Sequence, residues 1–148
     1  MERQRHTEVV NAPLESCFET LVDFARYPDW FALITAADVE RADPDAGLWQ
    51  VRYELDATLK TITYTLAYTA KAPNRLDWRS VAGDLRAIEG SYRLVELEKG
   101  LTEATCAQGI DVGLWVPGFL RRTFENSALS QSVREFKAAA EARARAAG

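Results

Sequence analysis

Residues 117–147, PGFLRRTFENSALSQSVREFKAAAEARARAA, read as one long helix, and what that helix presents on one side decides the fold. Steps of three and four give Phe119, Arg122, Asn126, Leu129, Val133, Phe136 and Ala140, a single stripe at helical spacing. The C-terminal half of the stripe is apolar. Its N-terminal half carries a guanidinium and an amide where a plain core helix would carry leucines. Such a helix either meets solvent at that end or lines a space that is not fully packed. Leu120 and Phe124 fall on the opposite face, so either the helix starts later or bends near Phe124, or the two form an exposed apolar lip that touches a membrane, a partner or a second subunit.

Upstream, from Ala32 to Gly113, the period changes from 3.6 to 2, and about six strands follow one another with short turns. The clearest alternation sets Trp49, Val51, Tyr53, Leu55, Ala57 and Leu59 against Gln50, Arg52, Glu54, Asp56 and Lys60. Thr61 to Lys71 repeats it with Ile62, Tyr64, Leu66 and Tyr68; Leu76 and Trp78, then Ile88, Gly90, Tyr92 and Leu94, then Ala104, Cys106, Gln108 and Ile110 continue it. Gly90 in mid-strand predicts a bend or bulge. Ahead of these strands lie a short strand, His6 to Asn11, and an amphipathic helix that Pro13 can open, Leu14 to Phe24. Pro28 then breaks the helical run and throws out Tyr27 and Trp30 as flanking rings before a second short helix or turn.

The fold class is therefore α+β: one strand, two short helices, six antiparallel strands and one long helix, in a single domain over residues 1–148. A seven-stranded sheet with one apolar face must cover it, and only the terminal helix is long enough. A curled sheet around one helix encloses more volume than the helix fills, so a cavity on the order of 300–1,000 Å³ is expected.

Composition bounds the function. The 148 residues are 47% hydrophobic and 27% charged, ordinary for a globule. A net charge of −4 with scattered basic residues argues against nucleic acid. The longest uncharged apolar run, Trp30 to Ala37, is far short of the roughly 20 residues that span a bilayer. The charged opening, Met1 to Arg5, reads as no signal peptide, and Cys17 and Cys106, widely separated, read as reduced core thiols of a cytoplasmic protein. One histidine, His6, and two separated cysteines give no metal site, and no phosphate loop or nucleophile elbow is present, so no cofactor is expected.

The candidate ligand-binding residues are the inward aromatic set Trp49, Tyr53, Tyr64, Tyr68, Trp78 and Tyr92, with Leu66 beside them and Arg122, Asn126 and Leu129 on the helix. Each buried tyrosine hydroxyl needs a partner, which a ligand or a hydrated cavity would supply. Arg122 and Asn126 would be costly in an empty apolar core, so they reach solvent at the mouth or bind a polar group of the ligand. Tyr, Arg and Ser80 are the inward groups available for acid–base work, a thin set, and no catalytic residue is singled out.

The Asn11-Ala12-Pro13 entry, Asp23-Phe24-x-x-Tyr27-Pro28-x-Trp30, Leu76-x-Trp78, Glu89-Gly90-Ser91-Tyr92 and Val116-Pro117-Gly118-Phe119 together resemble the START-related superfamily, and within it the polyketide cyclase/dehydrase and coenzyme Q-binding group. The resemblance spans the chain. It implies the helix-grip fold, with a ligand between the concave sheet and the long helix. It further implies a carrier or chaperone for a small hydrophobic molecule such as a lipid, quinone, isoprenoid or polyketide. A cyclase, aromatase or dehydrase using the same cavity, or a protein-binding regulator, are the alternatives, with peripheral membrane contact and a homodimer left open.

Overall fold

The computed structural model describes residues 1–56, 60–113 and 126–148, except for the side chains of 126 and 127. Strand β1 (Gln4–Val10) leads to helix α1 (Leu14–Val22), a 3-10 turn (Phe24–Arg26) and the single-turn helix α2 (Tyr27–Trp30). Six strands follow: β2 (Ile34–Asp43), β3 (Leu48–Asp56), β4 (Thr61–Lys71), β5 (Arg75–Gly83), β6 (Ala87–Glu98) and β7 (Leu101–Asp111). Helix α3 (Asn126–Ala147) ends the chain. All seven strands form one antiparallel sheet in the order β1-β7-β6-β5-β4-β3-β2. This is the α+β element order expected from the change of period, in the helix-grip arrangement that the family resemblance implies.

The two-residue alternation places alternate side chains on the concave face. Val51, Tyr53 and Leu55 on β3, Ile62, Tyr64, Leu66 and Tyr68 on β4, and Leu76 and Trp78 on β5 are all buried. Their neighbours Arg79 and Asp56 are exposed. Register shifts in β2 at Ile34/Ala36 and Val39/Arg41, and between β4 and β5 at Thr65/Leu66, add local twist and help the sheet curl.

Helix α3 supplies the other half of the core. Leu129, Val133, Phe136 and Ala140 are buried, the last three completely, as their spacing predicts. Polar contacts fix the helix at several points along its length: Lys137 Nζ donates to the Val9 carbonyl, the Asn11 amide to Glu141, and the Ala32 amide to Glu135. Arg143 pairs with Asp23 at 2.5 Å, tying the end of α1 to the last turns of α3. The predicted start of this helix at Pro117, with Arg122 and the Leu120/Phe124 lip, lies outside the described residues.

Two local expectations need correction. Tyr27 is not thrown outward: it is helical, opens α2 and is buried, and its hydroxyl donates to the Leu21 carbonyl at 2.6 Å. Pro28 is tolerated because in the first turn of a helix its missing N–H would have had no partner anyway. Gly90 marks no bulge, since it pairs in register with Trp78 on one side and Gln108 on the other. The indole of Trp78 lies over it instead, so that a Cβ at Gly90 would fall 2.4–2.6 Å from ring atoms.

Candidate ligand-binding cavity

Between the concave face and α3 lies a cavity of about 440 Å³. Its sheet walls are Tyr53, Leu55, Tyr64, Leu66, Tyr68, Trp78, Ile88, Tyr92, Cys106, Gln108 and Ile110. Tyr27, Trp30, Phe31, Leu33 and Ile34 close it from the α2 side; Ala128, Leu129 and Ser132 face it from α3; Gln4 of β1 and Met1 and Glu2 just before it border it.

Seven of the sequence-derived candidates therefore share one enclosure: Tyr53, Tyr64, Leu66, Tyr68, Trp78, Tyr92 and Leu129. Trp49 does not. It belongs to the same cross-sheet row as Tyr68, but Phe24 sits 5.3 Å from its ring and 4.2 Å from that of Tyr68, filling the space above it. Trp49 instead borders a more open depression of about 610 Å³ with Arg41, Gln50, Ala67, Asp77 and Arg79, whose charges are mixed and which Tyr68 and Trp78 also line. Arg122 and the side chain of Asn126 lie outside the described residues.

The periodicity did not single out Tyr27, Trp30 and Phe31, because a four-residue helix has too few turns to show a face. Gln108 was visible as the one amide in the Ala104, Cys106, Gln108, Ile110 stripe, a signal that could have marked it.

The tyrosines answer to one another more than expected. The Tyr53 and Tyr68 hydroxyls bond at 2.7 Å, so each serves as the other's partner and the pair keeps one hydrogen to offer. Tyr92 lies beside its register partner Cys106. The Tyr64 ring lies tilted against that of Tyr53, 5.6 Å between centroids, and among the described residues its hydroxyl has no hydrogen-bond partner. Burial holds all four phenols well above their usual range, so they stand as neutral donors at physiological pH.

Burial also pushes the Cys106 thiol up to about 12 and that of Cys17 up to about 11. In the unfolded chain thiols lose their protons near about pH 8.5 and phenols near about pH 10. Above those values the unfolded state binds fewer protons than the native one, so stability must fall as pH rises. The expected result is a melting temperature that is flat from about pH 6 to 8 with respect to these groups and declines steadily above about pH 9. A curve flat to pH 11 would contradict their burial.

A curled antiparallel sheet closed around one helix, with an aromatic cavity between them, is a helix-grip architecture. The solved structures that match agree. The Zhui aromatase/cyclase from Streptomyces sp. R1128 superposes with a TM-score of 0.83 at 21% identity, covering 99% of this chain and 98% of that one. A START superfamily protein from Mycobacterium smegmatis gives 0.78 at 20% identity, with 99% of each chain covered. One half of the di-domain aromatase/cyclase StfQ from the steffimycin biosynthetic pathway also matches: 0.72 at 12% identity, over 97% of this chain and 51% of that one. No curated protein matches the sequence. The chain belongs to the polyketide cyclase/dehydrase and lipid transport family, whose profile matches residues 10–137. Among the described residues no helix is long and apolar enough to cross a membrane.

Proposed function

We propose that this protein binds a small, largely apolar molecule carrying a few polar oxygens, in the cavity between sheet and helix, and acts as its carrier. The observation that supports this best is the cavity itself: about 440 Å³ of space walled by aromatic rings, in a core that elsewhere buries Val10, Leu21, Val133 and Phe136 completely. That volume is in the range of small-molecule sites. Rings of Tyr53, Tyr64, Trp78 and Tyr92 offer flat apolar surface, and the hydroxyls of Tyr64 and of the Tyr53/Tyr68 pair offer hydrogen bonds to a keto or hydroxyl oxygen. Lipids, quinones, isoprenoids and polyketides all have this character.

The second reading, a cyclase or dehydrase acting on a polyketide, draws on the likeness to the aromatase/cyclases. The tyrosine hydroxyls, held neutral by burial, suit orientation and hydrogen-bond donation to a carbonyl better than proton abstraction. Loss of polyketide turnover in Tyr64→Phe without loss of binding would favour the enzyme.

Native mass spectrometry of protein purified under mild conditions tests the carrier directly. The expected result is a co-purified hydrophobe in 1:1 ratio, released by organic solvent. Protein that carries nothing and takes up no apolar probe would contradict it. Filling the cavity gives an independent check. Ser132 is buried on α3 and faces the space, so Ser132→Phe should lower affinity for 9-fluorenone, a flat ketone, by at least about ten-fold in calorimetry. Unchanged affinity would place the probe elsewhere.

A further inference from the structure

Four residues form one row across the cavity wall: Trp78 on β5, Gly90 on β6, Gln108 on β7 and Gln4 on β1, each the register partner of the next. Trp78 and Gln108 are thus two strands apart, roughly 9–10 Å between backbones. Their side chains nevertheless meet, with the indole Nε1–H donating to Gln108 Oε1 at 3.0 Å. The contact exists because Gly90, between them, has no side chain. The ring lies flat in the space a Cβ would take, 2.4–2.6 Å from where that atom would sit.

The chemistry of the bond fixes the direction of the amide. An indole N–H can only donate, so the atom that meets it must be the carboxamide oxygen. The NH₂ end of Gln108 then has no hydrogen-bond partner among the described residues, and the residue lines the cavity. We propose that Gln108 is a specificity-determining residue: its carboxamide, held in one orientation by Trp78, presents N–H donors that select ligands bearing a carbonyl-type oxygen over ligands of the same shape without one. This rests on the cavity being the ligand site. Trp78 is the positioning residue, and Gly90 is the condition for its reach.

The device adds to the tyrosines in a particular way. A hydroxyl can turn to donate or accept, so Tyr64 and the Tyr53/Tyr68 pair tolerate either a ketone or an alcohol. The oriented amide tolerates only an acceptor. A ligand lacking one would leave the N–H groups desolvated and unpaired, which disfavours it beyond the loss of the bond itself.

The test compares 9-fluorenone with fluorene, one rigid skeleton with and without a carbonyl oxygen, by titration calorimetry on the full chain. The wild type should prefer fluorenone by about five- to ten-fold, the range of one neutral hydrogen bond. In Gln108→Leu, and in the nearly isosteric Gln108→Glu, which keeps an acceptor for the indole but has no N–H, the ratio of affinities should fall to about one or below. Trp78→Phe, which keeps a ring over Gly90 and deletes the N–H, should lower the ratio several-fold by freeing the amide to rotate. Reading the ratio separates selection from general damage to the cavity. A preference retained in both Gln108 variants, or retained in full in Trp78→Phe, overturns the assignment while leaving the ligand cavity intact. Failure of the wild type to bind either probe overturns the cavity reading and this inference with it.

Discussion

Phe136→Ala is expected to lower the free energy of unfolding by about 3–5 kcal/mol, the range for deleting a fully buried aromatic side chain. Phe136 has no exposed surface and sits near the middle of α3. Its ring lies 5.0 Å from Tyr92 on the sheet and 6.1 Å from Trp30 at the end of α2, so one side chain joins three elements around the cavity. Little can move in to replace it, because Val133 and Ala140 on the same stripe are already fully buried. For a domain whose total stability is typically about 5–15 kcal/mol, such a loss is a large fraction. Urea unfolding followed by circular dichroism measures it. A loss under about 1 kcal/mol would mean that the sheet does not grip the helix here.

Gly90→Ala is the second large effect, and it arises from a contact rather than from the backbone. Glycine in a strand is ordinarily a weakness, and alanine there should gain about 0.5–1 kcal/mol. Here the new methyl would meet the Trp78 indole at 2.4–2.6 Å, so the ring must leave its place and its bond to Gln108 must break. Overpacking of this kind costs about 1–3 kcal/mol, and the lost bond about 1 more. The sign should therefore be destabilising. In a Trp78→Leu background the clash disappears, and the same Gly90→Ala change should become neutral or stabilising. That reversal, read from a double-mutant cycle in urea, is the decisive feature. Equal effects in both backgrounds would place the cause in the backbone.

Much of the fold was legible because each element keeps one period over many residues. Leu129, Val133, Phe136 and Ala140 mark one face of α3 by spacing alone, and Tyr53, Tyr64, Tyr68, Trp78 and Tyr92 fall on the concave face by simple alternation. Alternation gives the face and says nothing about depth or position along it. Trp49 has the right parity and is still walled off, because Phe24, from another element, occupies the volume above it. Gly90 shows the same limit. In one dimension a glycine in a strand suggests a bulge, whereas its actual cause is a ring reaching over from the neighbouring strand. The hydroxyl pairing of Tyr53 with Tyr68, residues 15 apart, depends on register and curl together. Tyr27 was misplaced because a local steric preference at a residue preceding proline yields to a buried anchor, the bond to the Leu21 carbonyl.

The central claim is that an apolar molecule with a polar oxygen occupies the space between sheet and helix. The most direct measurement is the crystal structure of the protein grown with saturating 9-fluorenone. The predicted result is one flat ring system enclosed by Tyr53, Tyr64, Trp78, Tyr92 and Leu129. A ligand found only in the mixed-charge depression beside Arg41 and Trp49, or an interior without the probe at saturation, would contradict it.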